Sequence, residues 1–152
     1  MKDTLMNSST TADRALAERI TQSWLELWNG DYSQAEGLIS PGFQLHAALL
    51  DGGDGSAING PEGLVSMVSQ IRGPFPDLKF GIQVGPIVDG DYIVVRWTAT
   101  GTYAGGFPGA LAEPGTVVTF TGTDTLRSRD GVLVEYWLNA DTLLLITQLQ
   151  VG

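Results

Sequence analysis

The sequence predicts an α+β domain, with helices in the first half and a curved antiparallel sheet in the second half wrapped around them. Three observations predict it. Leu16, Ile20, Trp24, Leu27 and Trp28 recur at the three-to-four-residue spacing of one helical face. After Lys79 come four segments rich in Val, Ile, Thr and aromatic residues, with apolar and polar positions alternating. Turn pairs such as Asp89-Gly90 and Asp130-Gly131 punctuate those segments.

The elements follow in order. Residues 1–11 are polar and aperiodic and read as a flexible N-terminal arm, leaving residues 12–152 as a single domain. A first helix is expected from about Ala12 to Asn29, ended by Gly30, which enters left-handed geometry cheaply. A short helix over Ser33 to Ile39 follows, then Pro41-Gly42 as a breaker and a short strand over Phe43 to Ala47. Leu50 to Gly60 is glycine-rich and reads as a mobile loop. Pro61 opens a third helix whose inner stripe is Leu64, Met67, Val68 and Ile71, and Gly73-Pro74 stops it. Strands are expected over Lys79–Val88, Tyr92–Thr102, Thr116–Arg127 and Val132–Asn139, with a long connection from Tyr103 to Gly115. A last helical turn, Thr142 to Leu149, takes Asp141 as its N-cap. A sheet curved over helices encloses a hollow, the natural place for a ligand.

Composition excludes several functions. The chain has 152 residues, 43% hydrophobic and 16% charged, which suits one packed domain. Eight Lys and Arg stand against 17 Asp and Glu, a net charge of -9, so neither nucleic acid nor an anionic membrane is an expected partner. There is no cysteine and a single histidine, His46, which excludes disulfides, thiolate nucleophiles and zinc-thiolate sites. No metal site and no cofactor are expected. Neither a membrane span nor an apolar leader is visible, so the expected location is the cytoplasm.

Strand parity selects the side chains that face the hollow. In Tyr92–Thr100 the inward set is Ile93, Val95, Trp97 and Ala99. In Thr116–Arg127 it is Val118, Phe120, Gly122, Asp124 and Leu126, so one carboxylate is carried inside. In the last strand the even positions Val132, Val134, Tyr136 and Leu138 are assigned inward. A three-residue turn pairing Ser128 with Val132 would set Asp124 opposite Tyr136, whereas a strict two-residue loop would break that pairing.

These faces define the candidate chemistry. Asp124 among Val118, Phe120 and Leu126 must be paired or neutralised. Desolvation would raise its pKa toward that of a general acid or base. Its structural alternative is an Asp bonded to backbone or to Tyr136. Tyr136 is a donor to a developing oxyanion or a core tyrosine. His46 is a titrating group at the mouth of the hollow or an exposed histidine. Tyr103 is a hydroxyl over the mouth or a packing residue. Trp97, Met67, Phe120 and Leu138 shape the pocket. Glu135 and Trp137 share the outer face, where an exposed Trp beside threonines suggests a sheet-on-sheet homodimer.

The chain resembles the SnoaL-like polyketide cyclases of the NTF2-like superfamily. The resemblance runs from about Ala12 to Val151. It is carried by Leu27-Trp28-Asn29-Gly30-Asp31, Gly60-Pro61-Glu62-Gly63-Leu64, Phe75-Pro76-Asp77-Leu78, Arg96-Trp97-Thr98 and Gly101-Thr102-Tyr103. Further on it rests on Gly122-Thr123-Asp124, Val134-Glu135-Tyr136-Trp137, Asp141-Thr142 and Gln148-Leu149. The resemblance implies an NTF2-like cone and a small homo-oligomeric enzyme without metal or organic cofactor. Such cyclases close a ring by an intramolecular aldol step, in which a carboxylate removes a carbon-bound proton. Related members open epoxides, and others fold polyenes. Where the family often has Glu-His-Trp-Asp, this chain has Glu135-Tyr136-Trp137-Leu138, and Tyr103 stands where the family has a histidine. Asp124 and His46 fall on positions where the family carries polar pocket residues.

The expected function is a cofactor-independent cyclase acting on an apolar, polyketide-like natural-product intermediate. Asp124, Tyr136, His46 and Tyr103 are its catalytic candidates. Ring closure by preorganisation alone is part of this expectation, since holding reactive ends together supplies effective molarities of roughly 10⁵ M. The second expectation is an epoxide hydrolase or epoxide-opening ether cyclase, which needs Asp124 and His46 in one space. The third is a non-catalytic small-molecule binding module, favoured by a hollow filled with side chains.

Overall fold

The computed structural model describes the backbone from Lys2 to Gly152 and the side chains from Asp13 onward. The arm expected over residues 1–11 lies outside the described side chains. Helix α1 (Lys2–Trp28) precedes a single turn α2 (Ala35–Leu38), strand β1 (Ile39–His46) and helix α3 (Gly60–Arg72). Strands β2 (Lys79–Asp89), β3 (Tyr92–Thr102), β4 (Val117–Arg129) and β5 (Val132–Ala140) follow, then helix α4 (Thr142–Gln148). They form one five-stranded sheet in the order β1-β5-β4-β3-β2, antiparallel except for the β1–β5 pair. The sheet curves over α1 and α3 without closing.

The helical stripe of α1 is buried at Ala17, Ile20, Trp24, Leu27 and Trp28, with Leu16 half-buried beside it. Leu64, Met67 and Val68 of α3 are buried as well, and Ile71 packs at the margin. From the sheet come Phe80, Ile93, Val95, Trp97, Ala99, Val118, Phe120, Leu126, Leu133 and Tyr136. At roughly 1.5–3 kcal/mol for each large apolar side chain, this burial is the main drive toward the fold.

Three expectations need correction. The strand expected at Phe43–Ala47 begins at Ile39, because α2 is only one turn long. Pro41-Gly42 therefore sits inside β1, where the pairing jumps from Ile39–Leu133 to Gln44–Glu135. Edge strands tolerate such a proline because its missing N–H faces no partner. Asp141 occupies the N-cap position of α4 but makes no side-chain cap. Its carboxylate instead accepts a hydrogen bond from the Thr121 hydroxyl and lies 3.6 Å from Arg96.

The third correction concerns the β4–β5 register. The loop is the strict two-residue one, with Arg129 opposite Val132 and with Asp130 and Gly131 at φ 54° and 82°. Both angles suit the primed turn that matches strand twist, and Asp-Gly is the pair that accepts them. A bulge at Val134 then shifts the pairing by one residue, so that Leu126 faces Tyr136 and Asp124 faces Leu138. Leu133 is thus buried and Val134 half-exposed, the reverse of the parity expectation. Beyond the bulge, even positions face inward again, and Tyr136 shares a face with Asp124.

Two side chains fasten the sheet margins to the helices by imitating a neighbouring strand. The Asn29 amide accepts from the Phe80 N–H at 2.7 Å and donates to its carbonyl at 3.1 Å. The Gln148 amide does the same at Thr119, at 2.9 and 2.8 Å, where β5 no longer accompanies β4. Each satisfies a backbone pair that would otherwise compete for water. No helix among the described residues is long and apolar enough to cross a membrane.

Candidate active site

Asp124 is in the middle of β4, on the inward face, and only 4% exposed. Three side-chain donors converge on it. Trp24 Nε1 donates to Oδ2 at 2.9 Å. Trp97 Nε1 and Tyr136 Oη donate to Oδ1 at 3.0 and 2.8 Å. Each donor comes from a different element: α1, β3 and β5.

The local sequence explains how they reach it. Trp97 is the register partner of Gly122, and its indole lies across that residue. A Cβ at Gly122 would overlap the indole ring, so glycine is required there. The ring thereby reaches the next inward residue of β4, Asp124. Trp24 lies edge-on to Tyr136, with centroids 4.8 Å apart at 84°. Phe80 and Phe120 pack edge-on against Trp97 at 5.2 and 5.7 Å. The three donors are aromatic side chains whose polar tips point at the carboxyl group, and Val95 and Leu138 flank it as cross-strand neighbours.

Burial drives the Asp124 pKa up to about 6, against the lowering effect of the bonds from Trp24, Trp97 and Tyr136. Tyr136 is pushed well above its ordinary value by burial and by the Asp124 charge, so it remains a donor. The group is thus a carboxyl poised between its two forms near neutral pH, as acid–base catalysis requires.

Beside Asp124 runs a narrow apolar cleft between α1 and the β2–β3 margin. It is lined by Thr21, Trp24, Leu25, Trp28, Phe80, Ile82, Val95 and Trp97. Its free volume is about 20 Å³, room for a single water. Around Asp124 the hollow expected from the sequence is filled by the aromatic cage, and the larger open cavity, about 610 Å³, lies between α1 and the β2–β3 and β4–β5 turns, where Leu16, Ala17 and Ile93 line it.

The other expected site residues are placed as follows. Trp97 lines the cleft, and Phe120 supports it from behind. Leu138 is half-buried opposite Asp124 in the β4–β5 ladder. Met67 is a buried residue of α3 outside the cleft lining. Tyr103 is buried against Phe75, and its hydroxyl accepts from the Phe107 N–H at 3.0 Å, within the β3–β4 connection. His46 is on the outer face of the sheet, 45% exposed and 2.6 Å from Glu135 Oε2. Its ring stacks on Trp137, with centroids 5.1 Å apart. Arg127 Nε completes this outer cluster at 3.0 Å from Glu135 Oε1. His46 and Asp124 are therefore on opposite faces of the sheet, and the epoxide reading that needed them together is overturned.

Two indole donors of the cleft escaped the sequence reading, as did its lining residues Thr21, Leu25, Phe80 and Ile82. Trp24 and Trp28 are read there only as core-stripe residues. The available signal was polar, since a buried indole N–H needs an acceptor and a buried carboxylate needs donors.

A curved, unclosed sheet clasping helices is the architecture of the NTF2-like cone. Within that class, the chain belongs to the SnoaL-like polyketide cyclase family, which matches residues 18–149. A candidate polyketide cyclase from Acidithiobacillus ferrooxidans superposes with a TM-score of 0.77 at 27% identity, over 90% of this chain and 96% of that one. IdmH, a candidate polyketide cyclase from Streptomyces antibioticus, gives 0.75 at 26% identity, over 89% and 99%. AclR from Streptomyces galilaeus, described as a candidate hydroxylase, gives 0.75 at 23% identity over 91% and 87%, a likeness of fold. No curated protein matches the chain.

Proposed function

We propose that this chain is a cofactor-independent cyclase that closes a ring on an apolar, polyketide-like intermediate, with Asp124 as its acid–base group. The observation that carries this reading is the caged Asp124 carboxyl, with its pKa near 6. Ionised Asp124 would take the proton from a carbon flanked by carbonyl groups. The resulting carbanion would attack a second carbonyl of the same molecule, and Asp124 would return the proton to the new alkoxide. Bonds and protons balance without an oxidant or reductant, so the step is an isomerisation.

The similarity to the Acidithiobacillus and Streptomyces candidate cyclases supports the substrate class. A substrate larger than water needs the cleft to widen, and among its lining residues Ile82 is already 37% exposed. We also propose that the chain works as a homodimer through the outer sheet face, which carries Trp137, Tyr92 and the β4 threonines. A binding role without turnover is the second reading, favoured by the narrowness of the cleft.

The test is conversion of linear aromatic poly-β-ketones to cyclised products, followed by mass and absorbance. Asp124→Asn is expected to lower the rate by roughly 10²-fold or more, the size of an acid–base contribution. A ligand that binds without reacting, equally in both proteins, would establish the binding reading instead.

A further inference from the structure

One buried polar group is not explained by the cage. Among the described residues, Trp28 Nε1 is the buried side-chain nitrogen or oxygen atom with no hydrogen-bond partner. Trp28 is 5% exposed and lines the cleft together with Asp124. Trp24 and Trp97 spend their N–H groups on Asp124. The neighbouring hydroxyl of Thr21 is spent on the Ala17 carbonyl at 2.7 Å. An unpaired buried donor is destabilising, so the acceptor that completes it comes from outside the chain, as a water in the cleft or as an oxygen of the ligand that displaces it.

The donor is also held in place. Its ring lies edge-on against Trp24 at 6.0 Å and Phe80 at 5.2 Å. Its carbonyl accepts from Arg72 Nη1 at 2.9 Å, and the next residue, Asn29, is bonded to the Phe80 backbone. A fixed N–H in an apolar, nearly dry cleft is the arrangement that stabilises charge developing on an oxygen atom.

We infer that the Trp28 indole N–H is the binding donor for a carbonyl or enolate oxygen of the ligand that enters the Asp124 cleft. The ligand class is an enolisable β-dicarbonyl with apolar flanks: one oxygen on Trp28, the acidic carbon toward Asp124. This inference rests on the acid–base reading for the role of Asp124. The donor role of Trp28 can be tested separately.

The test uses acetylacetone, a small β-diketone, and the ¹⁵N–¹H signals of the four indole groups, assigned through Trp→Phe variants. On titration into the wild-type protein, the Trp28 Nε1–H signal is expected to move downfield and its exchange with solvent to slow. The Trp24 and Trp97 signals, already bonded to Asp124, should move less. Trp28→Phe should weaken acetylacetone binding about tenfold while thermal unfolding remains cooperative. Exchange of the diketone's central protons into deuterated water provides the second arm, read in wild type and Asp124→Asn.

A Trp28 signal unmoved at saturating diketone, or no binding to the wild-type protein, overturns the inference. Loss of catalysed exchange in Asp124→Asn with an unmoved Trp28 signal would refute the donor and leave the base standing. A shifted Trp28 signal with exchange unchanged in Asp124→Asn would support the donor and refute the base.

Discussion

Two carboxylates on neighbouring strands, Asp124 and Glu135, face opposite sides of one sheet, and their environments push them in opposite directions. Asp124 has three neutral donors and no cation, and burial lifts its pKa to about 6. Burial also tends to raise Glu135, but hydrogen bonds from His46 and Arg127 and their charges outweigh it, and its pKa is lowered. A neutral donor stabilises an anion less than a cation does, so the inner acid remains protonatable near pH 7 while the outer one is a permanent charge. The inner face is arranged for proton transfer, and the outer face for fixed ion pairing.

The contrast is sharpest in the pH dependence of stability. Asp124 binds its proton more tightly in the folded than in the unfolded chain. Its contribution is therefore fully favourable below about pH 4 and is lost as pH rises through about 6, by on the order of 3 kcal/mol. Denaturant midpoints measured from pH 4 to 8 should show this fall, and Asp124→Asn should remove most of it. Glu135 has the opposite sign: its contribution is present above the usual carboxylate range and lost as pH falls through its lowered value.

Next in size is Gly122→Ala. The new methyl would collide with the Trp97 indole and move its N–H off Asp124. Overpacking of this kind costs about 1–3 kcal/mol, read as a lower denaturant midpoint with an unchanged slope. Tyr136→Phe deletes one donor to Asp124, with a loss of about 1 kcal/mol and a further rise in the Asp124 pKa, measurable by carboxyl NMR titration. The smallest effect is Glu135→Gln on the outer face. Breaking the pairs with His46 and Arg127 should cost no more than about 1 kcal/mol and leave cyclisation unchanged, as fluorescence-monitored unfolding and product assays would report. Equal rate losses in Glu135→Gln and Asp124→Asn would erase the distinction between the faces.

Much of this was legible in the residue pattern. Helical spacing marks the buried side of α1, and alternation marks β3 and β4 with Asp124 inward, because burial depends on periods the chain itself carries. The family motifs proved largely structural: Asn29 and Gln148 bond to strand backbones, and Asp77 holds the Thr102 N–H at 2.7 Å. The β5 register was not legible, since its parity depends on a bulge that no local residue demands. Nor was the fate of His46, which β1 carries beside β5 on the outer face through a parallel pairing of chain segments nearly ninety residues apart.

By itself, then, the sequence determined the order of the helices and of the four long strands, though not the bounds of α1, α2 and β1, and that one acid must be buried in β4. Those outcomes follow from local geometry and from the cost of leaving apolar surface in water. Only the tertiary structure decided what surrounds that acid. Trp24, Trp97 and Tyr136 come from three separate elements, and their convergence depends on the curvature of the sheet over α1. The same packing narrowed the hollow to a cleft and left Trp28 as the donor beside it.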